Sequence, residues 1–178
     1  MNARIPALTL VCATVLIVSE GPAQSARGAP NREGFWLGVG IGWGSAGFLW
    51  GGVGKRFGGL SGNFRLGGTL NRSILLGVES NGWGHSESGV SQSVGALTGN
   101  VYFYPSTTGT VYLKGGAGLV YRDQSSAFGV NLGVGIDLYT AKNFSLSPYV
   151  NYVAALSSID PGVGRPNLLQ LGVAAVWH

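Results

Sequence analysis

Charge is scarce in this sequence. Only 10% of its 178 residues are Asp, Glu, Lys or Arg, where an ordinary soluble domain carries about 25%. That is too little to clothe an exterior that must meet water. Cysteine is nearly absent. Cys12 is the only one, which excludes a disulfide framework and a thiolate metal centre. The two histidines, His85 and His178, stand far apart, and the seven acidic residues form no cluster, so a metal site has no ligand set. Basic residues outnumber acidic ones, 11 to 7, but they are scattered and not interleaved with aromatics, so no nucleic-acid face is expected.

Long apolar runs are missing too, with one exception at the N-terminus. Ile5 to Val18 follows Arg4, contains Pro6 and ends before Gly21-Pro22. Its length, about fourteen residues, falls short of the roughly 17–25 that a helical span needs. With Ala23-Gln24-Ser25 after it, the stretch has the anatomy of a secretory signal peptide cut near Ser25. Lipidation at Cys12 is not supported, because Thr9-Leu10-Val11 lacks the small residue such a site needs. The expected organisation is a signal peptide over 1–25, a periplasmic N-terminal lead over 26–33 and one domain over 34–178.

What the chain has in abundance is glycine, 32 residues, with no three-residue period. It also has an alternation of period two, the strand period. In the last stretch Leu169, Leu171, Val173, Ala175 and Trp177 share one face, while Gln170, Gly172, Ala174, Val176 and His178 share the other. In 34–44, Phe35, Leu37, Val39, Ile41 and Trp43 oppose Gly34, Trp36, Gly38, Gly40 and Gly42. Six more stretches repeat the pattern: 60–70, 74–83, 90–104, 110–122, 128–138 and 144–156. Three places resist it. The first half of 90–104 is ambiguous, the clear outward set there being Leu97, Val101 and Phe103. Trp83 falls on the inner parity, which suggests a bulge near Asn81-Gly82. Pro148 lies inside a strand and predicts a local irregularity. The stretches 45–59 and 157–166 are expected to be long loops, and 84–89 a polar loop.

Eight strands with one wholly apolar face and one small, sparsely charged face fit a closed barrel with lipid outside. Nothing but a closed barrel satisfies a non-helical backbone in lipid. A soluble barrel would carry Lys and Glu outside, which this chain does not supply. The fold class is therefore all-β: an eight-stranded antiparallel up-and-down transmembrane barrel behind a cleavable signal. Short and long connections alternate and set both termini on the periplasmic side. Outward aromatics near strand ends (Phe35, Trp43, Phe103, Tyr121, Phe144, Tyr152 and Trp177) are expected to form interfacial girdles. The closing strand is expected to pair with the first, with Trp177 near Phe35.

Gly-Val-Gly-Ile-Gly-Trp at 38–43, Asn-Leu-Gly-Val-Gly-Ile-Asp-Leu-Tyr at 131–139 and the closing strand resemble the OmpA-like and OmpX-like group of small eight-stranded outer-membrane barrels. The resemblance covers residues 34–178. It implies residence in the outer membrane of a Gram-negative-type bacterium and contact with outer-membrane lipid and lipopolysaccharide. It further implies recognition of the C-terminal strand by the barrel-assembly machinery. A monomer without a cofactor is expected, with no peptidoglycan-binding domain after the barrel. That group commonly ends on an aromatic, whereas here His178 follows Trp177.

The inward charges are Arg65, Glu79, Lys114, Arg122 and Asp137. Buried charges need partners, so a structural lumen ion network is expected, with Arg65 against Glu79 across one hairpin and Lys114 against Asp137. Eight strands leave an interior just filled by side chains, which argues against a diffusive pore. No catalytic residues are assigned. His85-Ser86-Glu87 is a run of neighbours, not triad geometry, and the His-x-Ser pair that lipid A deacylases carry on a late strand has no counterpart. The expected function is non-enzymatic: an envelope or surface-interaction role through the outer loops. The alternatives are an outer-leaflet lipid-modifying enzyme of the lipid A deacylase or acyltransferase type, and a narrow channel for ions or small hydrophobic ligands.

Overall fold

A computed structural model describes residues 32–50, 53–87, 90–141, 143–159 and 164–178. The expected signal peptide (1–25) and most of the expected lead (26–33) lie outside the described residues. Nine strands follow in order: β1 (Phe35–Trp50), β2 (Val53–Asn71), β3 (Ile74–Glu87), β4 (Val90–Phe103), β5 (Val111–Arg122), β6 (Ser125–Ile136), β7 (Leu138–Ala141), β8 (Phe144–Ala155) and β9 (Arg165–Trp177). Strands β1 to β6 pair antiparallel each with the next, both β6 and β7 pair with β8, β8 pairs with β9, and β9 pairs with β1, which closes the sheet. Segments β6 and β7 are one barrel strand interrupted at Asp137, so the barrel has eight strands.

The seam lies where the alternation places it. Strands β1 and β9 pair from Leu37↔Trp177 to Leu49↔Arg165. Trp177 stands opposite Leu37 rather than Phe35, and its ring packs on Phe144 at a centroid distance of 5.1 Å.

The faces are inverted relative to a soluble protein. Ile41, Leu60 and Leu171 are 73%, 71% and 60% exposed on the outside, while Arg65, Glu79, Lys114, Asn131, Asn151 and Gln170 are buried inside. Glycine makes this interior feasible, because it stands where a lumen side chain needs room. Gly38 is the β1 partner of Arg65, and a Cβ there would lie 2.7 Å from Arg65 Nε. Gly135 serves Tyr112 in the same way.

Three expectations need correction. Residues 45–59 are not a loop: β1 and β2 continue as a paired hairpin to Trp50↔Val53, and β9 follows alongside. Likewise β3 runs on to Glu87, paired with Val90. No bulge sits near Asn81-Gly82. Trp83 keeps register with Ser61 and Val94, points inward and donates its indole N–H to the Gly44 carbonyl at 3.1 Å. Its inner parity is packing, not irregularity.

Pro148 keeps register with Val173 on β9. The ladder on its other side stops at Gly135↔Tyr149 and resumes at Leu138↔Leu146. The gap therefore lies beside Pro148, where a missing N–H withdraws one rung. Asp137, in the gap, sends its own N–H to the Thr110 carbonyl at 2.9 Å instead. Local chemistry also sets the turns. Asn71 Oδ1 accepts from the N–H groups of Ser73 and Ile74, both at 2.9 Å, and Asp123 takes the left-handed conformation (φ 53°) between β5 and β6, which Asp tolerates.

Candidate functional site in the barrel lumen

Side chains fill the lumen in three layers. The outer half is apolar: Ala46, Trp83, Val94, Ala96, Val120 and Leu168 are among the side chains that form one buried cluster, with Phe48 and Phe57 packed against it. The middle is polar and charged. The half that holds both termini is an aromatic cage of Trp36, Tyr102, Tyr104 and Tyr112 with Leu75.

In the middle layer the ion pair differs from the one that strand neighbourhood suggests. Arg65 and Glu79 are cross-strand partners, yet Glu79 reaches over β4 to Lys114 on β5, with Nζ 2.8 and 2.7 Å from its two carboxylate oxygens. Both side chains are almost wholly buried. In a narrow barrel, long inward side chains converge towards the axis, so strands that are not neighbours meet there. Glu79 also accepts from the Tyr102 hydroxyl at 2.6 Å and from Asn151 Nδ2 at 3.4 Å. Its charge is thereby compensated from β4, β5 and β8. A belt of amides surrounds the pair. Asn151 Nδ2 also faces Asn81 Oδ1 at 2.9 Å and Gln170 Oε1 at 3.1 Å, and Asn131 Nδ2 donates to Thr98 at 3.1 Å.

Arg65 takes a different partner. Its Nη1 donates to the Tyr112 hydroxyl at 2.8 Å, and its guanidinium lies 5.5 and 5.8 Å from the Tyr112 and Tyr102 ring centres. Asp137 does not meet Lys114. It accepts from the Tyr104 hydroxyl at 2.6 Å near the termini end of the barrel. Arg122 stands apart from the other four, at the outer rim. It lies 3.6 Å from Asp123, with its guanidinium 4.6 Å from the Phe48 ring centre.

One charge at the termini end is invisible to strand periodicity because it precedes the first strand. Arg32 is buried in the barrel mouth. It donates to the carbonyls of Arg72 and Gly109 and to the Tyr139 hydroxyl, and its guanidinium lies 3.7 Å from the Tyr104 ring centre. Those partners sit in or beside the three turns at the termini end of the barrel, so one side chain before the first strand ties all three. His178 closes the same mouth from the other terminus, with Nε2 3.5 Å from the Tyr139 hydroxyl. Burial, reinforced by the Arg32 and Arg65 charges and opposed by Asp137, holds its imidazole below the ordinary histidine range.

The seven expected girdle aromatics all lie on outward positions. Phe35, Phe103, Phe144 and Trp177 are at strand ends on the termini side of the barrel, and Trp43, Tyr121 and Tyr152 are in the opposite half. His85 lies between Phe57 and Trp83 and 3.4 Å from Glu87. Among the described residues no cluster of His, Cys, Asp or Glu has the makings of a metal site.

No family model matches the sequence, and no curated protein matches it. Solved structures do match. The crystal structure of Neisserial surface protein A superposes with a TM-score of 0.64 at 14% identity, covering 82% of this chain and 97% of that one. The attachment invasion locus protein Ail of Yersinia pestis gives 0.54 at 15% identity, covering 82% and 99%. Its complex with the heparin analogue sucrose octasulfate gives 0.52 at 17% identity, with the same coverage. At these identities the likeness is one of fold. The chain shares the closed eight-stranded antiparallel barrel of small outer-membrane proteins.

Proposed function

We propose that this protein is a non-enzymatic outer-membrane barrel that serves the cell envelope as a closed transmembrane scaffold and meets partners at its outer rim. The observation that carries this reading is the pairing of a lipid-type exterior with a filled lumen. The outward face is apolar on every strand, and three successive layers of side chains occupy the interior. The outward aromatics would anchor the barrel at the two interfaces. The signal segment would export it, and the closing strand would engage the assembly machinery. Lipid and lipopolysaccharide would be its immediate surroundings.

The rim presents Arg56, Arg122 and Arg165 at the outer ends of β2, β5 and β9. Among the described residues Arg56 is engaged only with neutral acceptors: Ser45 Oγ at 3.0 Å, the Ser45 carbonyl at 2.5 Å and Asn167 Oδ1 at 2.5 Å. Of the structural neighbours, Ail has been solved with a heparin analogue. A sulfated polysaccharide is therefore the first ligand class to test at this rim.

The decisive experiment has two parts. The protein should fractionate with the outer membrane and migrate faster unboiled than boiled on a denaturing gel. Recovery in soluble periplasm without a mobility shift ends the membrane-barrel reading. Mass spectrometry of lipid A from cells with and without the protein should show no difference, whereas an altered acyl pattern would establish a lipid-modifying enzyme instead.

A further inference from the structure

Arg65 poses a problem that the middle layer leaves unsolved. It is a buried cation with no carboxylate in ion-pair contact among the described residues. A bare buried charge is costly. Its Nη1 is used by Tyr112, but Nε, equally buried, has no hydrogen-bond partner within the protein. Two other buried nitrogens nearby share this condition, Trp36 Nε1 and His178 Nδ1. All three residues line one small cavity at the periplasmic end of the lumen, and Asp137 lines it with them. Trp36 and Arg65 are only 3% and 2% exposed, so neither is wetted from outside. The cavity leaves about 10 Å³ for the centre of a water-sized molecule, close to the room one water needs.

We propose that one water molecule sits in this cavity and completes a water-bridged ion pair between Arg65 and Asp137. The donors and acceptors match a water's full capacity. Trp36 Nε1–H and Arg65 Nε–H can only donate. The Asp137 carboxylate can only accept. His178 Nδ1 accepts when the ring carries its proton on Nε2, the nitrogen that faces the Tyr139 hydroxyl. A water that accepts from the first two and donates to the other two leaves none of the four unmet. Two alternatives fit worse. A halide would accept from Arg65 and Trp36 but would stand against the Asp137 carboxylate. A larger solute exceeds the space. The bridge also joins the seam: Trp36 belongs to β1, Arg65 to β2, His178 follows β9, and Asp137 fills the break between β6 and β7.

The test uses the whole barrel folded in detergent. In a water-selective NOE and ROE experiment, the Trp36 indole N–H, assigned by its loss in Trp36→Phe, should show a cross-peak at the water frequency with the sign of a long-lived bound molecule. No such cross-peak overturns the proposal. Crystals grown in bromide should show no anomalous peak in the cavity, and a peak there would replace the water by an anion. Arg65→Met, Asp137→Asn and the double variant should show coupling of at least about threefold in the unfolding equilibrium constant. Additive effects would mean that the two residues are not bridged. If either variant fails to fold, the wild-type water signal and the bromide crystals decide.

Discussion

Glu79 is the residue on which the middle layer turns. Removing one member of a buried ion pair strands the other, at a cost of about 3–5 kcal/mol. Glu79→Gln should therefore lower barrel stability by about that amount, read as a shift of the urea unfolding midpoint in lipid vesicles. Lys114→Met should do the same, and the double variant should lose far less than the sum. Equal and additive losses would show that the contact at 2.7 Å carries no coupling. His178 makes a second prediction, with a defined sign. Its folded pKa lies below the unfolded value, about 6.5. The unfolded state therefore takes up its proton first as pH falls, and stability drops below about pH 6.5 until the folded group also protonates. Above that pH the contribution is complete. His178→Phe should remove this slope between pH 7 and 5, and a slope unchanged by the substitution would assign it elsewhere. The inward positions of Arg65, Glu79, Lys114 and Asp137 were legible from period two alone. Their partners were not, because alternation fixes the side of the wall and says nothing of which strands a long side chain meets near the axis. Arg32 escaped for a different reason: it precedes the first strand, and only the closed mouth shows what it touches.

At the scale of the strand, the sequence pattern is most informative where glycine meets a partner. The β1–β9 seam brings Gly42 opposite Gly172. A Cβ at Gly42 would lie 2.0 Å from the Leu171 carbonyl oxygen, closer than any atom pair allows. Gly82, on the outer face of β3, would meet nothing within 4 Å. Gly42→Val should thus impair closure and abolish the gel-mobility shift of the folded barrel. Gly82→Ala should fold normally, with a stability change within about 0.5 kcal/mol. Equal behaviour of the two would show that glycine acts here through backbone freedom rather than space. Strand ends were the least legible feature. Residues 45–59 suggest a loop because Gly and Ser dilute the alternation, yet hydrogen bonding to both β2 and β9 extends the hairpin. Pro148 announced its irregularity correctly, and the break appeared in the strand beside it, at Asp137.

For the whole molecule, the three layers act in series, so a leak requires all of them to fail. Arg32 seals the mouth at the termini end of the barrel through the Arg72 and Gly109 carbonyls, which no other side chain engages among the described residues, and hydrogen bonds from a charged donor are each worth about 1.5–3 kcal/mol. Arg32→Ala should therefore lower stability by about 2 kcal/mol and speed hydrogen exchange of the turn amides around Arg72 and Gly109. It should not create a conductance, because the Glu79–Lys114 layer and the apolar cluster around Trp83 still block the axis. Planar-bilayer recording separates the contributions. Wild type and Arg32→Ala should both be silent, while a triple change that adds Lys114→Ala and Trp83→Ala should admit ions if it remains folded. Steady unitary currents from the wild-type barrel would show that the side-chain layers move aside in the membrane, and the protein would have to be read as a narrow channel rather than a sealed scaffold.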